Sequence, residues 1–159
     1  MRLRHLLAVL AFLAVAPAAA LAADSPKAEI EQVVDKFQAA IKAHDRPALA
    51  SLFLADSKAW WTILGEPSYR KMKTAHPNAP RYKTGTWQAF ADYVGSAKES
   101  IEERFHNVRI ETDGTVASVY FDFEFVANGK IGNKGAETWQ LLHTDEGWKI
   151  ASMMYSSNF

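Results

Sequence analysis

Between residues 27 and 43 apolar side chains recur three and four positions apart, at Ile30, Val33, Val34, Phe37 and Ile41. That spacing predicts an amphipathic helix, with Ser25-Pro26 as its cap and first position. His44-Asp45-Arg46-Pro47 reads as a turn in which Asp45 caps a short second helix, with Leu49, Leu52 and Phe53 facing inward. Residues 59–64 are apolar and aromatic and read as a strand. A third helix starts at a Thr86 cap and carries Trp87, Phe90, Val94 and Ala97 on one face.

Beyond residue 100 the period drops to two. In 115–127, Ala117, Val119, Phe121, Phe123 and Phe125 face one way, while Ser118, Tyr120, Asp122 and Glu124 face the other. Such alternation is a strand with one dry face. Residues 101–112 precede it, and 135–144 and 148–156 follow. Asp113-Gly114, Asn128-Gly129 and Asp145-Glu146-Gly147 are the turns between them. Residues 65–85 differ: Pro67, Pro77, Pro80 and Gly85 interrupt Arg70, Lys71, Lys73, His76, Arg81, Tyr82 and Lys83 without clear periodicity. A stretch of that length reads as a functional lid or an excursion of short irregular pieces.

Hairpin-length connections make the late strands antiparallel neighbours, and a sheet with one apolar face needs a cover. The fold class is therefore α+β, a curved mixed or antiparallel sheet wrapped around three helices from the N-terminal half. Residues 24–159 read as a single domain, with no internal repeat or linker.

The first 23 residues stand apart. Arg2 and Arg4 precede an apolar run over 6–16, Pro17 breaks it, and Ala20-Leu21-Ala22 is a small-x-small cleavage site. These are the three parts of a secretory signal peptide, with cleavage expected after Ala22 or Ala23. The uncharged stretch 5–23 is also about long enough to span a bilayer, but Pro17 and the Ala-rich end suit cleavage better. The product is expected in the periplasm or secreted, with no transmembrane segment left.

Composition narrows the function classes. With 48% apolar and 12% aromatic residues among 159, the chain is too apolar for a disordered one. Its 18 basic residues equal its 18 acidic ones, and losing Arg2 and Arg4 with the signal leaves a slight acidic excess. Nucleic acid is not an expected partner on that balance, although Lys and Arg from Arg70 to Lys83 interleave with Tyr69 and Tyr82 in a way that resembles a stacking patch. There is no Cys, which removes disulfides and thiol chemistry. The four remaining His lie on separate elements without metal-ligand spacing, no G-x-S-x-G elbow is present, and no cofactor is indicated.

Three segments carry a family resemblance: His44-Asp45-Arg46-Pro47-Ala48-Leu49-Ala50-Ser51-Leu52-Phe53 after the first helix, Val116-Ala117-Ser118-Val119-Tyr120-Phe121, and the closing Gly147-Trp148-Lys149-Ile150-Ala151-Ser152-Met153-Met154-Tyr155-Ser156. In order and spacing they resemble the nuclear transport factor 2-like superfamily, which includes SnoaL-like polyketide cyclases and ketosteroid isomerases. The resemblance implies a cone-shaped, cystatin-like roll with a pocket between sheet and helices, and a homodimer through the outer sheet face. One such fold hosts many activities, so each residue must be tested separately.

The isomerase branch implies a Tyr on the first helix, a carboxylate base after the first strand and a protonated acid on a late strand. Here those positions hold Phe37, Glu66 before Pro67, and Thr138 or Trp139. One part of three matches, so the steroid-isomerase set is incomplete. Glu66 and His143 are the candidates for acid–base roles. Adjacent Trp60 and Trp61 point to opposite faces, so only one can line a pocket. Phe37, Trp60, Tyr69, Tyr93, Trp139 and Tyr155 are the candidate ligand contacts, with Trp139 and Tyr155 alternatives for core or pocket. The reading that follows is an exported domain that binds a small, largely apolar molecule. The alternatives are an isomerase, dehydratase or hydrolase of the same fold, and a non-catalytic assembly module.

Overall fold

The computed structural model of the chain describes residues 25–159. The expected signal peptide, 1–23, lies outside the described residues. Among those described, no helix is long and apolar enough to cross a membrane.

Helix α1, Pro26–Lys42, is capped by Ser25, whose hydroxyl accepts from the Ala28 N–H. Asp45 caps α2, Arg46–Ser51, in the same way through the Ala48 N–H. Strand β1 is Ala59–Leu64, α3 is Glu66–Ala75, β2 is Tyr82–Thr84 and α4 is Trp87–Ser96. Four long strands complete the chain: β3 Ile101–Thr112, β4 Val116–Ala127, β5 Lys130–Thr144 and β6 Gly147–Ser157. They form one sheet in the order β2-β1-β6-β5-β4-β3, with β1 parallel to β6 and every other pair antiparallel.

The α+β sheet and its helical cover are thus as the alternation implies, but 65–85 is not irregular. It holds a ten-residue helix and a three-residue edge strand, so four helices and six strands are present among the described residues. The helix was hidden because it has no apolar stripe: only Ser68 is buried. What holds it comes from elsewhere in the chain. The Ser68 hydroxyl accepts from the Phe159 N–H at 2.9 Å, and the Gly65 N–H donates to Ser157 O at 2.9 Å. Strand β5 also begins earlier than expected, because Asn128 (φ 50°) and Gly129 (φ 75°) close a two-residue turn of the kind that keeps both strands in register.

The core lies between α1 and the inner sheet face. Trp139 of β5 sits fully buried, 4.8 Å from the Phe37 ring of α1 and 4.9 Å from Phe121 of β4. The sheet bends over α1 at register irregularities in β3, β5 and β6 and at Gly135. A Cβ on Gly135 would lie 2.1 Å from the Ser156 carbonyl oxygen, so only glycine permits this approach of β5 to β6. The bend keeps the sheet from closing down fully on the helices.

Candidate functional site

Where the sheet curves away from α1 and α4 it leaves a cavity of about 180 Å³. Of the candidate ligand contacts, Phe37 of α1, Trp60 of β1, Tyr93 of α4 and Tyr155 of β6 line it. Phe123 and Phe125 also face it, the continuation of the dry stripe on β4. Trp60 is buried and Trp61 is 41% exposed, so the two adjacent indoles do take opposite faces.

The other candidates lie elsewhere. Trp139 belongs to the core, with no exposed surface and no part in the cavity wall. Tyr69 sits on α3 outside the cavity, with the Arg81 guanidinium 5.3 Å from its ring centre. Glu66 opens α3 with its side chain about half exposed, bonded to Arg70 at 2.8 Å and 3.1 Å from Arg81. The Arg70 hydrogen bond, followed by the charges of Arg70 and Arg81, holds its carboxyl below the usual range. A carboxylate so stabilised, and outside the cavity, is poorly placed as a base for a guest inside it. His143 lies at the far end of β5, its Nε2 3.7 Å from Glu29, and does not reach the cavity either. At that end of the strand His143 packs against Trp148 and faces Glu29 near the start of α1, away from the cavity.

The cavity instead holds two acids other than the acid–base candidates Glu66 and His143. Glu103 of β3 and Glu137 of β5 both line it, and they are 6% and 4% exposed. Trp139 Nε1 donates to Glu137 Oε1 at 2.5 Å, so a core indole fixes the carboxyl's direction. Burial pushes Glu137 up to about 8, a rise the Trp139 hydrogen bond only partly offsets. Burial raises Glu103 well above the usual carboxylate range, and the charge of Glu137 raises it further. The physical content is sequential: once one carboxyl has lost its proton, the second resists losing its own. Among the described residues no Lys or Arg lines this cavity. The pair therefore carries at least one proton near pH 7 and can donate as well as accept a hydrogen bond.

Tyr155 stands beside them. It pairs with Glu137 across β5–β6 and with Thr62 across β6–β1. Burial is the main cause that raises its hydroxyl pKa, against hydrogen bonding with the Thr62 and Trp60 side chains. At neutral pH it is a neutral phenol. Both acids left a trace in the sequence: Glu137 shares parity with Trp139 and Leu141, and Glu103 with Ile101 and Phe105. A carboxylate on a dry strand face is the rare observation worth following. Asp122 and Glu124, by contrast, point outward as their parity implies: Asp122 accepts from Asn107 and Glu124 lies 3.8 Å from His106. Among the described residues no group of three or more His, Asp or Glu is placed to hold a metal ion.

No protein-family model matches the chain, and no curated protein matches it. Solved structures do. The chain is similar to a proposed dehydratase of the NTF2-like family from Streptomyces avermitilis, at 19% identity and a TM-score of 0.60, covering 85% of this chain and 99% of that one. It is similar to a proposed scytalone dehydratase from Novosphingobium aromaticivorans, at 15% identity and a TM-score of 0.60, over 84% of both chains. An NTF2-like superfamily protein from Salmonella enterica serovar Typhimurium matches at 20% identity and a TM-score of 0.58, over 84% of this chain and 92% of that one. Identities this low speak to architecture and not to activity, and the architecture is clear: the described domain has the NTF2-like, cystatin-like fold.

Proposed function

We propose that this domain binds a small, largely apolar molecule in the cavity between sheet and helices, and that Glu103, Glu137 and Tyr155 orient a polar group on it. The observation that carries this is a buried carboxyl pair opening into an otherwise aromatic hollow. Two desolvated acids cost several kcal/mol of stability, and a fold built for packing alone has no use for them. The size fits as well, since an apolar cavity of about 150 Å³ holds a benzene-sized ring. The guest is then a ring-sized group whose carbonyl or hydroxyl meets a protonated carboxyl and a phenol.

A titration tests it. Trp60 is the tryptophan in the cavity wall, so a ring-sized ketone or phenol should change the intrinsic fluorescence, and Trp60→Phe should abolish the change. No response across a library of such compounds sinks the reading. Acid–base catalysis is the second reading, favoured by Glu137 at about 8, where a carboxyl can exchange a proton near neutral pH. It requires that a bound carbonyl compound be turned over and that Glu137→Gln lose the turnover while still binding.

Export and dimerisation belong to the same proposal. Trp61, Met154 and Tyr120 stand exposed on the outer sheet face, and the register puts Trp61 against Met154. That apolar strip suits a second copy of the chain. Native mass spectrometry of the protein from its own host should read a mass beginning at Ala23 or Asp24, a dimer, and any retained ligand. An uncleaved monomer would reject both.

A further inference from the structure

The cavity has a neighbour. A second hollow of about 430 Å³ lies under α3 and the edge strand β2, and Asn133 and Tyr155 line both hollows. Its own wall includes Thr62, Arg81 and Lys83. The sheet register relates the two. Lys83 pairs with Thr62, Thr62 with Tyr155, and Tyr155 with Glu137. Residues directly opposite one another share a sheet face. These four therefore form one row on the inner face, from β2 across β1 and β6 to β5. Three spacings of about 4.8 Å separate the first backbone from the last, roughly 14 Å.

Chemistry changes steadily along that row. A cation stands at the outer end, two hydroxyls in the middle, and a buried carboxyl at the inner end. The two cations of the outer hollow are not equivalent. Arg81 is engaged, 3.1 Å from Glu66 and donating through Nε to Leu64 O at 3.3 Å. Lys83 forms no ion pair among the described residues and stands on the inner side of an edge strand, opposite buried Thr62. An anionic group at the inner end would meet two carboxyl groups and no cation. At the outer end it would meet Lys83.

We infer that the two hollows form one site for an elongated organic acid, with a ring-sized apolar group beside Glu103 and Glu137 and a carboxylate held by Lys83. This rests on the ligand-binding reading above and adds the polarity and reach of the ligand. A carboxylate attached directly to the ring cannot serve, because it would stay at the inner end. The acid must stand several bonds away.

Calorimetric titration with 4-phenylbutyrate, 4-phenyl-1-butanol and benzoate, on the wild type and on Lys83→Gln, tests it. The expected result is that the wild type binds 4-phenylbutyrate about tenfold tighter than the alcohol, as one charge-assisted contact allows. Lys83→Gln should remove that advantage and leave the alcohol's affinity unchanged, which also reports an intact fold. Benzoate should bind both proteins equally poorly. If the alcohol binds as tightly as 4-phenylbutyrate, or if Lys83→Gln weakens both or neither, the inference is overturned while the inner cavity remains a binding site. If neither compound binds, the inference falls, and the titration with ring-sized ketones and phenols decides the inner cavity separately.

Discussion

Trp139→Ala is expected to lower the free energy of unfolding by about 4 kcal/mol, within the range of buried Phe and Trp truncations. Trp139 has no exposed surface, and its ring meets Phe37, Phe121 and Phe105 at 4.8, 4.9 and 5.7 Å between centroids. These neighbours sit on α1, β4 and β3, so one side chain joins the helical layer to three strands. Collapse around the void is hindered because Phe37 also packs against Phe53 and Phe90, which hold it in place. The substitution removes the indole N–H that satisfies Glu137 as well. A small domain has roughly 5–15 kcal/mol in total, so the variant should be partly unfolded at 37 °C. Urea denaturation measures the loss; a change under 1 kcal/mol would mean that the aromatic cluster is loosely packed and that the cavity borders are not fixed. Trp139→Phe, which keeps a ring but loses the N–H, separates packing from the hydrogen bond.

Stability is expected to fall as pH rises from about 4.5 to about 8, and Glu137→Gln should flatten the fall. The sign follows from linkage. Burial raises the folded pKa of Glu137 from 4.5 to about 8. Below pH 4.5 the group is protonated in both states, and folding is not penalised. Between the two values the unfolded chain releases the proton and the folded chain keeps it, so unfolding becomes progressively more favourable. Above about 8 the penalty is complete, on the order of 5 kcal/mol as an upper bound. Glu103 shifts in the same direction for the same reason, with the Glu137 charge added. Glu66 and Asp113 act oppositely, since their lowered pKa values contribute stability that is lost as pH falls. Both are exposed and screened, so they set only the acid edge. Urea midpoints from pH 4.5 to 9 should decline in the wild type. In Glu137→Gln they should be higher at pH 8 and change less with pH, the Gln oxygen still accepting from Trp139. A wild-type profile that rises across this range would show that the pair is ionised and solvated, and the reading of the cavity as a dry site with a shared proton would go with it. A more stable variant that binds its guest less well is the behaviour expected of a site held at a cost.

The elements that the sequence discloses are those whose physics is local. The apolar spacing of α1, the caps Ser25, Asp45 and Thr86, and the alternation of β4 all act between residues a few positions apart. The turn at Asn128-Gly129 is of the same kind. Helix α3 escapes such reasoning because its one buried residue, Ser68, is held by Phe159, 91 positions away. The site is mixed in the same way. Phe37 is legible on the inward stripe of α1, and Trp60 and Tyr155 as aromatics on alternating strands, whereas Tyr93 lies off the Trp87-Phe90-Val94 face and lines the hollow while 41% exposed. That Trp139 fills the core while Tyr155 lines the hollow depends on where the sheet bends away from α1, and no periodicity carries that information.

What the sequence determines by itself is therefore the order of helices and strands, the face each presents inward, and the class of fold that buries those faces. Only the tertiary structure decides which inward residues meet. Glu103 and Glu137 lie 34 positions apart on strands that flank β4, and they become one titrating pair because β3, β4 and β5 pair in a particular register on a curved sheet. Lys83 and Glu137 come to share a row for the same reason. Periodicity assigns a residue to a face, but the distance between two residues on that face is set by strand register and sheet curvature, which are properties of the whole packed chain.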